Sequence, residues 1–126
     1  MTQDNFNNRL PEHESWNYIL RVIEDETIFF KTKLARILSN DFEKSHLGNL
    51  EIFQYRFLKM DEQVILVRHE LREFQDMLRR NGRGTAASEA ITVLRNTLEL
   101  KIDKLQESFD SLASDFRMYM HSFPRD

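Results

Sequence analysis

Histidine and carboxylate side chains are the groups in this sequence that could do chemistry. The four histidines are His13, His46, His69 and His121. Glu43 lies three residues before His46, and Glu73 lies four residues after His69, so each pair would share one face of a helix. An imidazole beside a carboxylate can ligate a metal ion or transfer a proton near neutral pH. Whether these side chains form a site depends on the elements that carry them.

The spacing around three of the histidines invites comparison with metal-binding helical bundles. The Glu-x-x-His segment that ends at His46 resembles the ligand motif of ferritin-like di-iron helices, and His69-x-x-x-Glu73 and His121-x-x-x-x-Asp126 resemble hemerythrin ligand motifs. Ferritin-like sites need a second Glu-x-x-His, and hemerythrins need a His-x-x-x-His pair, and the chain contains neither. His46 and His69 would also lie about 35 Å apart along a helix. We therefore predict no metal site and no cofactor.

The segment His69-Glu70-Leu71-Arg72 resembles the phospho-acceptor box of sensor histidine kinases, which lies on a helix of a dimeric four-helix bundle. In that family the box continues with Thr or Asn and then Pro, whereas this chain continues with Glu73-Phe74. The resemblance covers four residues and implies a phosphotransfer function in which an outward-facing His69 accepts a phosphoryl group from a partner. No nucleotide-binding domain follows, so the chain alone would not phosphorylate itself.

Other catalytic arrangements are not supported. With no Cys, the chain has no thiolate nucleophile and no zinc finger. The acidic run Glu24-Asp25-Glu26 cannot form a facing acid/base pair, because consecutive residues on a helix point about 100° apart. Ser and Thr occur without a suitably placed His and acid. We therefore expect a non-enzymatic protein.

Aromatic residues at helical spacing allow a further alternative, which is a bundle that holds a small apolar ligand between its helices. The candidate lining residues are Phe30, Phe53, Phe57, Phe74, Phe109 and Phe116. Such spacing is also typical of an ordinary hydrophobic core. A helical bundle that binds a metal or a small ligand therefore stands beside phosphotransfer as an alternative function.

Composition narrows the class of protein. The chain has 126 residues, a formal net charge of −3 and 31% charged residues, which fits one domain without a basic surface for nucleic acid. Its longest apolar run is Val64-Ile65-Leu66-Val67, far below the roughly 20 residues of a membrane span. The first residues lack the features of a secretory signal, so a cytoplasmic location is expected.

Apolar residues recur in alternating steps of three and four, which predicts three long amphipathic helices over residues 11–45, 49–81 and 86–122 after a flexible tail at 1–10. The predicted core stripes run from Trp16 to Ile37, from Leu50 to Leu78 and from Ile91 to Tyr119. Gly48 is expected to close the first helix in a left-handed conformation, and Gly82 and Gly84 to separate the second from the third. Short connections make neighbouring helices antiparallel. The predicted fold is an all-α, up-down-up bundle at 11–123, completed by dimerisation.

Several large apolar residues fall off these stripes, and they predict a contact surface for another helix. The candidate interface residues are Ile28, Phe29, Ile52, Leu58, Ile65 and Leu66, and Val93 and Leu100 are also off the stripe of the third helix. A single bundle does not need apolar side chains on its outer faces. We therefore expect an interaction or scaffold module that forms a homodimer or binds a partner protein helix, with neither nucleic acid nor membrane as partner.

Overall fold

The computed structural model describes residues 12–39, 47–80 and 85–122, and within these ranges all regular structure is helical. Helix α1 spans Glu12–Ser39, α2 spans Leu47–Arg80 and α3 spans Thr85–His121. Each of the three helices packs against the other two. The prediction of an all-α fold with three packed helices is confirmed.

The role predicted for Gly48 is wrong. Helix α2 begins at Leu47, so Gly48 lies in its first turn, and no described glycine has a positive φ. The first-turn amides of a helix lack intrahelical partners in any case, and Gly is therefore tolerated at this position. The predicted extension of the first helix to residue 45, the tail at 1–10, His46 and both Gly82 and Gly84 lie outside the described residues.

Ion pairs between helices show the direction of each one. The α1–α2 ion pairs are Lys31–Asp61 at 2.6 Å and Glu24–Arg68 at 3.2 Å, and the α2–α3 ion pairs are Glu70–Lys101 at 2.6 Å and Arg56–Asp115 at 3.0 Å. In both sets, the later residue of the first helix pairs with the earlier residue of the second helix, and the earlier residue of the first helix pairs with the later residue of the second. Helices α1 and α2 are therefore antiparallel, as are α2 and α3, which gives the up-down-up order.

The core consists of the three apolar stripes that face the bundle axis. Most of their residues are buried, and Ala113 of α3 joins them. The stripe residues that are only partly buried are Ile37, Leu78, Ile91, Leu94 and Tyr119, all of which lie toward helix ends. At the ends, fewer neighbouring turns cover each side chain. Burial is therefore complete in the middle of the bundle.

Aromatic rings fill one half of this core. The Phe30 ring lies 6.1 Å from that of Phe57 and 5.4 Å from that of Phe116, measured between centroids. Phe57 and Phe116 meet edge to face at 5.1 Å, a favourable geometry for aromatic pairs. Phe53 contacts Tyr119 at 5.1 Å, and burial raises the pKa of the Tyr119 hydroxyl. Five of the six predicted ligand-lining rings are therefore joined by ring contacts, and the ring of the sixth, Phe74, lies 6.0 Å from that of Trp16.

Candidate interaction surface

Large apolar side chains remain exposed on the outside of this completed core. Among the described residues they are Tyr18, Ile28, Phe29, Ile52, Tyr55, Leu58, Ile65, Leu66, Val93, Leu100 and Met118. Ile65 and Leu66 are 65% and 64% exposed, whereas their neighbours Val64 and Val67 are 3% and 7% exposed. The contrast follows from helix geometry, because residues 64 and 67 share the inward face while 65 and 66 point away from it. All six predicted interface residues are thus exposed within the single chain.

Ile28 and Ile65 lie on the same outer side of the α1–α2 pair. Ile28 is between the two α1 residues of the α1–α2 ion pairs, and Ile65 is between their two α2 residues. Because the helices are antiparallel, these positions come opposite each other. Leu58 lies seven residues before Ile65, two turns away on the same stripe of α2. These three residues form one apolar rim along the α1–α2 pair.

Leu66 lies on the other side of α2, in a groove formed with α3. This groove has a volume of about 420 Å³ and is lined by Leu66, Val67, Leu105, Lys101 and Lys104, among others. Gln63 and Ser108 continue into a second groove of about 520 Å³ between the same helices. Ile52 is fourteen residues before Leu66 and therefore occupies the same side of α2.

Phe29 belongs to neither of these surfaces. Its ring contacts the adjacent Phe30 ring at 5.9 Å, and the Lys33 ammonium lies 4.9 Å from the Phe29 ring centroid. Position 29 is one residue beyond Ile28, which rotates it about 100° away from the α1–α2 rim. The structure therefore places the predicted interface residues on different outer faces, and α2 contributes to two of them.

His69 is exposed on the outer side of α2, as the phosphotransfer hypothesis requires. Its Nε2 atom lies 3.8 Å from a Glu73 carboxylate oxygen, and its side chain is 69% exposed. The neighbouring Glu70 is engaged in the ion pair with Lys101. The His69 and Glu73 side chains are both largely exposed to water, and His69 as a phosphoryl acceptor stays a prediction.

No group of three or more His, Cys, Asp or Glu side chains is placed to hold a metal ion within the part of the chain that the structure describes. His121 is exposed at the end of α3, far along the bundle from His69. His46 and Asp126 lie outside the described residues. His69 and His121 therefore do not share a site.

Sequence reasoning overlooked three exposed residues, which are Tyr18, Tyr55 and Met118. Helical spacing could have found two of them. Tyr55 is three residues before Leu58 on the outer stripe of α2, and Met118 lies eighteen residues, or five turns, beyond Leu100 on α3. Their omission hid the fact that the outer faces of α2 and α3 each carry apolar residues along much of their length.

Comparison of the chain with protein-family models, with curated proteins and with solved structures finds no match. Within the described ranges, none of the helices combines the length and apolar character that crossing a membrane demands. The exposed apolar faces are therefore the features on which a functional argument can be built.

Proposed function

We propose that this protein is a non-catalytic helical interaction module that binds another helix through the outer surface of α2. The observation that carries the proposal is the exposure of Tyr55, Leu58, Ile65 and Leu66 on a helix whose opposite stripe is already buried. We call these four residues the α2 outer face. Apolar residues grouped on a protein surface are typical of interaction sites.

The arrangement of the α2 outer face suits a helix as the partner. Its residues lie three, seven and one positions apart, so they span about 100° of the outer surface of α2, from the α1–α2 rim at Ile65 to the α2–α3 groove at Leu66. A partner helix could bury its own apolar stripe there, in the manner of helix-in-groove recognition. The ion-paired residues Lys59 and Glu62 lie among these apolar residues and would set the register of the contact.

The partner is a second copy of the chain or a helix of another protein. Dimerisation would complete a larger bundle, and docking of another protein would make the chain a scaffold. Both forms of the proposal use apolar residues that the monomer leaves exposed. The cytoplasm is the compartment we propose.

The first test is the double substitution Ile65→Asp/Leu66→Asp. If a second copy binds to the α2 outer face, the substitution should weaken self-association at least tenfold in sedimentation velocity at micromolar protein, because two charges would have to be buried in the contact. Far-UV circular dichroism should stay unchanged, since both side chains are exposed in the monomer.

A matched control is Asn49→Asp/Gln106→Asp, which adds the same charge at exposed polar positions. It should leave both association and helical content as in the wild type. If Ile65→Asp/Leu66→Asp associates like the wild type, the chain does not self-associate through the α2 outer face. If the double variant unfolds, these residues contribute to the monomer core and the proposal fails.

A further inference from the structure

Helix α3 also carries a regular stripe on the side that faces away from the bundle. Its residues alternate in steps of four and three, as a helix-packing seam does, and all are exposed. They are Val93, Thr97, Leu100, Lys104, Glu107, Ser111, Ser114 and Met118. We call this stripe the α3 outer face. It extends over about 37 Å.

The α3 outer face can pair with the same face of a second, antiparallel copy of α3. If a second α3 runs antiparallel with its Glu107 opposite Lys104, then Leu100 comes opposite Ser111 and Thr97 opposite Ser114. At the ends, Val93 comes opposite Met118. Opposite charges therefore meet in the middle, Leu100 meets the small Ser111, two small polar residues meet beyond it, and two apolar residues meet at the ends. A two-fold interface requires every contact to occur twice with the copies exchanged, and this register satisfies that requirement.

The charges in the middle of the stripe are available for such a contact. Lys104 and Glu107 are exposed, and neither forms an ion pair with another residue that the structure describes. The nearby Lys101 differs, because it is already paired with Glu70 across the α2–α3 groove. A second copy would supply one partner for Lys104 and one for Glu107, and the two-fold axis would give two equivalent pairs.

The α2 outer face is less suited to pairing with a second copy. An antiparallel second copy that sets Leu58 opposite Ile65 would bring Asp61 and Glu62 of one chain against Asp61 and Glu62 of the other. Like charges at close range disfavour that register. A different register, with Tyr55 opposite Leu66, would bring Lys59 opposite Glu62, but these two side chains already pair with each other at 3.5 Å within α2, whereas Lys104 and Glu107 form no ion pair with a residue that the structure describes.

We infer that the α3 outer face binds a second copy of the same chain in antiparallel orientation, with Lys104 of each copy paired to Glu107 of the other. This inference goes beyond the proposed function, because it assigns self-association to α3 and leaves the binding of another protein's helix to α2. Leu66 lines the same groove as Lys104, so α2 borders the contact. The rest of the α2 outer face is left free for a different helix.

Charge exchange tests the inference directly. Lys104→Glu alone places two Glu–Glu contacts at the centre, and Glu107→Lys alone places two Lys–Lys contacts there. Each single variant should dimerise about tenfold more weakly than the wild type in sedimentation equilibrium of the full chain, since favourable pairs are replaced by repulsive ones. The double variant Lys104→Glu/Glu107→Lys should restore the wild-type affinity.

Mixing the two single variants is the most specific arm of this experiment. A Lys104→Glu chain and a Glu107→Lys chain regain both opposite-charge contacts in a mixed dimer, so the mixture should dimerise better than either variant alone. High salt should reduce the advantage of the mixture over the single variants in dimer affinity, because screening weakens exposed ion pairs. A mixture that associates no better than its components overturns the inference, as does a double variant that fails to recover.

Cysteine cross-linking tests the orientation, since the native chain has no Cys. Val93→Cys/Met118→Cys should give a covalent dimer on oxidation, because these positions meet in the antiparallel register. Val93→Cys alone should give none, since the two copies of residue 93 would be about 37 Å apart. Cross-linking of the single variant would indicate parallel packing and overturn the inference.

The outcomes separate this inference from the proposed function. If association is insensitive to the charge exchange but is lost in Ile65→Asp/Leu66→Asp, the inference is wrong and the α2 interaction function stands. A wild-type chain that stays monomeric throughout overturns the inference and leaves only docking of another protein on α2. If the charge exchange behaves as expected while Ile65→Asp/Leu66→Asp has no effect, the α3 outer face is the self-association surface and α2 is not.

Discussion

Phe29 and Phe30 are neighbours in the chain, yet one lies on the exposed outer surface of the bundle and the other lies in its buried core. Phe30 is 2% exposed in the aromatic core and contacts Phe57, Phe109 and Phe116. Phe29 is 55% exposed on the outside of α1. The same division separates Val64 from Ile65 in α2. A helical rotation of about 100° per residue is thus enough to turn a core residue into a surface residue, and it means that apolar composition alone does not distinguish stability from recognition.

The strongest way to test this division is to truncate both phenylalanines. Phe30→Ala should lower the free energy of unfolding by about 3–5 kcal/mol, because it removes a ring at the centre of the core and leaves a cavity. Phe29→Ala should change it by no more than about 0.5 kcal/mol, as expected for an exposed position. Urea unfolding followed by circular dichroism measures both. An equal decrease in the free energy of unfolding for the two variants would contradict the division into inner and outer faces.

A smaller effect concerns the one polar residue within the apolar stripe of α1. Thr27 is 1% exposed, and its hydroxyl has no hydrogen-bond partner among the described residues. Thr27→Val keeps the shape and removes the uncompensated hydroxyl, so it should raise the free energy of unfolding by about 1 kcal/mol.

Thr32 provides the matched control for that variant. It is exposed on the same helix, and its hydroxyl donates a hydrogen bond to the Ile28 carbonyl oxygen at 2.9 Å. Thr32→Val should leave unfolding within about 0.5 kcal/mol of the wild type. A loss of stability in Thr27→Val would mean that the Thr27 hydroxyl is satisfied in solution.

The smallest effect is expected at the border between the two regions, where ion pairs join the helices. A double-mutant cycle with Glu24→Gln and Arg68→Met should give a coupling free energy of about 0.2–1 kcal/mol, because both groups are partly exposed to water. Added salt should reduce it. A coupling of several kcal/mol would show that this border behaves like the core.

Sequence reasoning was most successful where a pattern repeats over many turns. The stripe from Leu50 to Phe74 predicts a continuous buried face, and every one of its positions is buried in α2. It was less successful at single positions. Gly48 was interpreted as a helix end, whereas it lies in the first turn of α2. A glycine is compatible with both states, and the choice depends on neighbouring turns rather than on the residue itself.

The grouping of the candidate interface residues was beyond sequence reasoning. Ile28 and Phe29 were assigned to one surface, but the structure places Ile28 beside the α1–α2 ion pairs and Phe29 away from them. Residue spacing shows which side chains share a face of one helix. It does not show which faces of two helices become neighbours, since that depends on how the helices are rotated when they pack.

The sequence by itself determined the helical class, the three inward stripes and the presence of surplus apolar residues, because these follow from local periodicity along each helix. Only the tertiary structure decided which outer faces come together. It placed Ile28 opposite Ile65, set Leu66 beside Lys104 in the α2–α3 groove, and left the α3 outer face uncovered. These relations depend on packing of residues far apart in the chain, which bury the inner stripes in one mutual arrangement and thereby fix what remains on the outside.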